Sequence, residues 1–87
     1  MSQEKDVSYS WQIVIFEYRT DAEDVLGHMT DLIKNYGRVS VTDLYDLVGI
    51  TSTNDDRQRG WYDLKSAYVQ PVDKGYGISL PEPVTFN

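Results

Sequence analysis

The residues of this sequence that could do chemistry fall into three short constellations. His28 is the only histidine. On a helix it would stand beside Asp24 at i−4 and Asp31 at i+3, and a carboxylate next to an imidazole is the local arrangement of a general base with its orienting partner. No Ser or Cys nucleophile lies nearby in sequence. A solvated histidine on an acidic helix face would look identical, and that is the reading adopted. Asn54-Asp55-Asp56 offers side-chain oxygens to a hard cation such as Ca²⁺ or Mg²⁺. The spaced acids and closing Glu of a calcium loop are missing, so a solvated turn is the expectation. Trp61-Tyr62-Asp63 is the third. Trp61 is expected to anchor its loop in the core, and Asp63 to cap the turn toward Ser66 through local backbone hydrogen bonds. Tyr62 and Asp63 then remain as candidates for binding a partner.

Other chemistries lack their residues. With no cysteine there is no disulfide, no thiolate and no cysteine-containing zinc site. The glycines Gly75 and Gly77 belong to a hairpin pattern and do not form a phosphate loop. The sequence therefore assigns no catalytic residue, no metal ligand and no cofactor.

The elements that must position these residues are legible in part. Chain length of 87 residues sets one small domain. Residues 1–8 are polar and predicted to fray as a flexible N-terminus, leaving 9–87 as a single α+β domain. Trp11 to Tyr18 is a β-rich run, apolar on both faces, which predicts a strand covered on both sides. Thr20, with Glu23 three residues later, predicts a capped helix start. Ala22, Val25, Leu26, Met29, Leu32, Ile33 and Tyr36 then form an apolar stripe at helical spacing, and Gly37 is the expected stop. A second helix is predicted from the Ser40 cap through Val48. Val39 and Leu44 staple its start, while Gly49 and Ile50 close it.

Thr51 to Gly60 is polar and aperiodic, which predicts a loop with room for one helical turn. Residues 66–72 and 76–80 flank Asp73-Lys74-Gly75, read as a three-residue hairpin loop in which Val72 faces Tyr76 and Tyr68 faces Leu80. Pro71 places its strand at an edge. The expected architecture is an N-terminal strand, a helical hairpin and a C-terminal β-hairpin in one small antiparallel sheet, ordered 66–72, 76–80, 11–18. Both helices are expected on one face of it.

Helix, helix and β wing also follow the order of a winged-helix DNA reader. Residues 52–65 would have to supply its recognition helix. They balance Arg57, Arg59 and Lys65 against Asp55, Asp56 and Asp63, a poor groove-binding charge.

Charge bears on the partner. The net charge is −6, and residues 20–50 hold six acids against Lys34 and Arg38. Such a surface is repelled by phosphate backbones, so nucleic acid is not the expected partner, whereas a basic protein surface is complementary. No apolar run is long enough to span a bilayer, so no membrane partner is expected. Absence of cysteine and of a basic-then-apolar leader makes a soluble protein of a reducing cytoplasm the expectation. The acids Asp24, Asp31 and Asp46, on helices whose apolar stripes face a shared core, are candidate partner-binding residues. With Tyr62 and Asp63, the tyrosines Tyr68 and Tyr76 of the hairpin complete the candidates.

The ordered set Tyr36-Gly37, Val39, Val41-Thr42-Asp43-Leu44-Tyr45-Asp46-Leu47, Gly60-Trp61, Asp63-Leu64, Ala67, Val69, Gly75-Tyr76 and Leu80-Pro81-Glu82-Pro83 resembles a family of small proteins encoded in phages and prophages of Gram-positive, especially actinobacterial, hosts. Asp21 to Leu26 is similar to the helix preceding that pattern, so the resemblance spans roughly residues 20–83. It implies an origin, in the cytoplasm of an infected or lysogenic host or in the virion, and no settled activity. The function expected is a non-catalytic protein–protein interaction module acting on a host or phage protein. The alternatives are a winged-helix-like DNA-binding regulator, or a small virion or assembly component whose main activity is to form a homo-oligomer.

Overall fold

The computed structural model describes residues 14–86, so the expectations for residues 1–8 and for Trp11–Ile13 lie outside the described part. The chain is an α+β protein. Helix α1 (Arg19–Tyr36) leads into strand β1 (Val39–Ser40), helix α2 (Val41–Val48) and a single turn, α3 (Asn54–Arg57). Strands β2 (Arg59–Trp61), β3 (Tyr68–Val72), β4 (Gly75–Ser79) and β5 (Val84–Thr85) follow.

The stripe of α1 does bury its centre. Ala22 and Met29 are fully buried, and Val25, Leu32 and Ile33 pack against the core. Its end does not: Tyr36 is 75% exposed, although the stripe extends to it. The start also differs. The helix begins at Arg19 behind an extended Tyr18, with no side-chain cap. Thr20 is thereby inside the first turn, and Glu23 is drawn to Arg19, whose Nε donates to it at 3.0 Å, instead of reaching back to form a capping box. At the other end Gly37 adopts φ +87°, as a left-handed stop requires.

Helix α2 has the predicted capping box. The Asp43 amide donates to Ser40 Oγ, and the Ser40 amide donates to Asp43 Oδ2, each at 3.0 Å. Two orphan amides of the first turn are satisfied reciprocally. Gly49 at φ +79° ends the helix, and the Ile50 amide returns to the Tyr45 carbonyl at 2.8 Å. Val41, Leu44 and Tyr45 are buried with Val39, Met29 and Trp61 as the core, which Val48, Leu64 and Leu80 flank.

The strands form two sheets where one was expected. Strands β1, β2 and β5 make an antiparallel three-stranded sheet in the order β1-β2-β5. Strands this short carry no period of their own, and the approach of backbones at Gly60 makes them possible. A Cβ there would collide with the Val39 carbonyl and Ser40 Cα. The second sheet is the β3-β4 hairpin. Phe16 joins it through an antiparallel bridge to Tyr76, with reciprocal amide–carbonyl bonds of 2.8 Å. The expected neighbour of the first strand is thus found at that residue, but the chain bends at Glu17 and Tyr18 and enters α1.

The hairpin register is one residue away from that expected. Val72 pairs with Gly75, Pro71 with Tyr76 and Tyr68 with Ser79. Lys74 takes the positive φ, at 73°, which leaves Gly75 inside the strand, where a Cβ would strike the Phe16 carbonyl oxygen. Because side chains alternate along a strand, this slip puts Tyr68 and Tyr76 on opposite faces. Helix α1 covers both hairpin strands, whereas α2 packs on α1, α3 and β1, so the helices do not share one face of one sheet. The winged-helix reading meets a further difficulty: the recognition-helix position holds only the four residues of α3. Among the described residues, no helix is long and apolar enough to cross a membrane.

Candidate interaction groove

Helices α1 and α2 pack against each other, and residues from both line a groove at each end of the pair. At the end formed by the start of α1 and the close of α2, Val14, Ile15, Phe16, Val25, Leu47 and Val48 line a groove of about 370 Å³, with Asp21 and Asp24 beside them. Ile15 is 52% and Leu47 38% exposed, which is unusual for aliphatic side chains gathered in one place. Asp21 and Asp24 stand one turn apart on the solvent side of α1 because Ala22 and Val25 turn inward. The groove is therefore apolar with carboxylates along one side.

The candidate residues separate accordingly. Asp24 lines the groove, and Asp46 is exposed next to Leu47 on α2. Asp31 is exposed on α1 and outside the groove. Tyr62 and Asp63 line a smaller recess of about 240 Å³ with Gly60, Trp61, Ser66 and Val84. Asp63 Oδ1 accepts from the Lys65 amide at 3.2 Å, the local turn expected of it. Tyr62 does not join the hairpin tyrosines; its ring meets Phe86 edge-on at 5.4 Å. Tyr68 is exposed on β3, while Tyr76 is half-buried on β4. No single tyrosine-bearing sheet face exists, since the observed register divides it.

His28, Asp24 and Asp31 are all exposed, and no hydrogen bond or ion pair of His28 is present among the described residues. Asp56 departs from the solvated turn expected of Asn54-Asp55-Asp56. It is buried, and its Oδ2 accepts from the Thr53 amide at 2.9 Å, so one member of the acidic run is a structural cap. Among the described residues, no group of three or more His, Asp or Glu side chains converges in a way that could hold a metal ion.

Two features were not legible in the sequence. The Tyr45 hydroxyl is buried without a hydrogen-bond partner. Burial, and secondarily the charge of Asp56, raise its pKa above the ordinary tyrosine value, with Arg59 opposing them. The second is the groove at the opposite end of the helix pair, about 420 Å³, lined by Leu32, Tyr36, Arg38, Ser40, Asp43, Arg57 and Phe86. Its residues come from four separate stretches of chain, so no local spacing announces it. No family model matches the chain, no curated protein matches it, and no solved structure matches its fold.

Proposed function

We propose that this chain is a non-catalytic protein-interaction module, of the small phage- or prophage-encoded kind its sequence resembles, which grips a basic, apolar-bearing segment of a host or phage protein. The observation that carries this reading is the groove in which exposed Ile15 and Leu47 lie beside Asp21 and Asp24. An apolar floor supplies area whose burial drives association, at about 25 cal/mol per Å² before the costs of binding are subtracted. The carboxylates select the charge of the segment and speed its approach. A partner residue of the Leu or Phe type would fill the floor, and a Lys or Arg a turn away would meet Asp21 or Asp24.

The test is a screen of an immobilised random peptide library. The expected binders combine Lys or Arg with a large apolar residue, and they weaken as salt is raised. Replacing Asp21 and Asp24 together by Asn should slow their association and flatten the salt dependence. Leu47→Ser should speed their dissociation, and Asp31→Asn should leave both unchanged. Binders without basic enrichment, or a double variant that binds at the wild-type rate and salt slope, would refute this reading. The Tyr62–Asp63 recess would then be the surface to probe.

A further inference from the structure

The groove at the opposite end of the helix pair has the reverse chemistry. Arg38 and Arg57 both line it, and neither has an ion pair among the described residues. The Arg38 guanidinium lies over the Phe86 ring, 4.4 Å from its centroid. The Phe86 ring is itself braced edge-on by Tyr62. A guanidinium held against a ring keeps N–H groups able to donate, so it loses less freedom when an anion arrives. Arg57, the last residue of α3, is exposed and lines the same groove from another direction. Asp43 is the one acid in the lining, and its Oδ2 accepts from the Ser40 amide. Two cations against one committed carboxylate leave a local positive charge in a protein whose net charge is −6. Tyr36, 75% exposed, offers an uncovered ring at the rim.

We propose that this groove binds an oxyanion linked through a sugar to a flat ring, a ligand of the nucleoside monophosphate class. The phosphate takes paired N–H donors from Arg38 and Arg57, and the ring stacks on Tyr36. A free phosphate satisfies the first requirement only. A nucleoside satisfies the second only, and an acidic peptide lacks the ring. The proposal is independent of the acidic groove, since Asp21, Asp24 and Leu47 take no part in it.

The experiment is an amide-shift NMR titration of the full chain with AMP, inorganic phosphate, adenosine and a tetraglutamate peptide, each at low salt. AMP is expected to shift the amides of Tyr36, Arg38, Arg57 and Phe86 saturably, at least about tenfold more tightly than adenosine. Arg57→Gln should weaken AMP by about tenfold or more. Tyr36→Ala should bring AMP down to the affinity of inorganic phosphate while leaving phosphate itself unchanged. Both residues are exposed, so the spectra of the variants should remain those of the folded chain. The proposal is overturned if AMP and adenosine bind alike, if Arg57→Gln binds AMP as the wild type does, or if tetraglutamate saturates the same amides more tightly than AMP.

Discussion

The Trp61 indole donates through Nε1 to the carbonyl oxygen of Pro81 at 2.7 Å, tying β2 to the segment that leaves the hairpin. The ring is buried in the core beside Val39, Leu44 and Tyr45. One side chain thus serves as core filler and as a tie between β2 and the segment that follows β4. Trp61→Phe should cost about 1–3 kcal/mol, because it leaves the carbonyl without that donor. Trp61→Ala should cost about 3–5 kcal/mol, because it also opens a cavity. Urea unfolding midpoints measure both, and a Trp61→Phe variant as stable as the wild type would show that the hydrogen bond contributes nothing.

Two glycines with different duties should respond differently to alanine. At Gly37 nothing lies within contact distance of an added Cβ, but φ is +87°, so Gly37→Ala carries only the backbone cost of about 1–2 kcal/mol. At Gly60 an added Cβ meets backbone atoms of Val39 and Ser40, which cannot rotate away. Gly60→Ala should therefore cost about 3 kcal/mol or more, and spread β1 from β2. Thermal unfolding ranks them, and a milder effect at Gly60 would contradict the close approach described.

What the sequence disclosed follows from how far each signal reaches. Helix α2 was readable from end to end because Ser40, Asp43 and Gly49 act within a few residues of themselves. The start of α1 was misread because Glu23 has two local partners to choose between, Thr20 and Arg19, and sequence does not rank them. The hairpin was visible, but its register depended on whether Lys74 or Gly75 takes the left-handed conformation. Where the strand runs in the structure it passes against Phe16, far away in the chain, whose carbonyl leaves no room for a side chain at position 75. The three-stranded sheet left no trace, since Val39–Ser40, Arg59–Trp61 and Val84–Thr85 are too short to show alternation. Of the candidate residues, Asp24 lies on a groove and Asp31 does not, while Arg38, Arg57 and Phe86, which line the second groove, come from stretches too far apart in sequence to share a local signal.

Tyr45 should be replaceable at a gain. Its hydroxyl is buried and unpartnered, so Tyr45→Phe removes a desolvated polar group and keeps the ring. Stability at neutral pH should be unchanged or rise by about 1 kcal/mol. A pH effect follows as well. The folded-state pKa is raised, so the folded chain holds the proton more tightly than the unfolded one does. The associated stability is complete below the unfolded value of about 10 and is lost as pH rises from there through the folded value. Unfolding midpoints measured from neutral pH up through that range should fall more steeply for the wild type than for Tyr45→Phe. Parallel curves would mean that the hydroxyl reaches water or a partner in solution.

Along α1 the cost of truncation should follow burial and not the apolar stripe. Met29 is fully buried within the core, so Met29→Ala should cost about 2–5 kcal/mol. Tyr36 lies on the same stripe but is exposed, and Tyr36→Ala should stay within about 0.5 kcal/mol of wild type. Chemical denaturation of the pair decides it, and a large loss at Tyr36 would place that ring in the core.

Among the described residues the outer edge of β3 pairs with no other strand, and Pro71 is the fourth of its five residues. A proline has no N–H, and its position opposite Tyr76 survives in the hairpin only if the missing donor points away from β4. The gap therefore falls on the free side. An incoming strand would find its row of donors interrupted at Pro71, which disfavours continuous fibril-like stacking of hairpins. Pro71 thereby weakens the outer edge of β3 as a template for strand addition, a protection that Pro71→Val would withdraw.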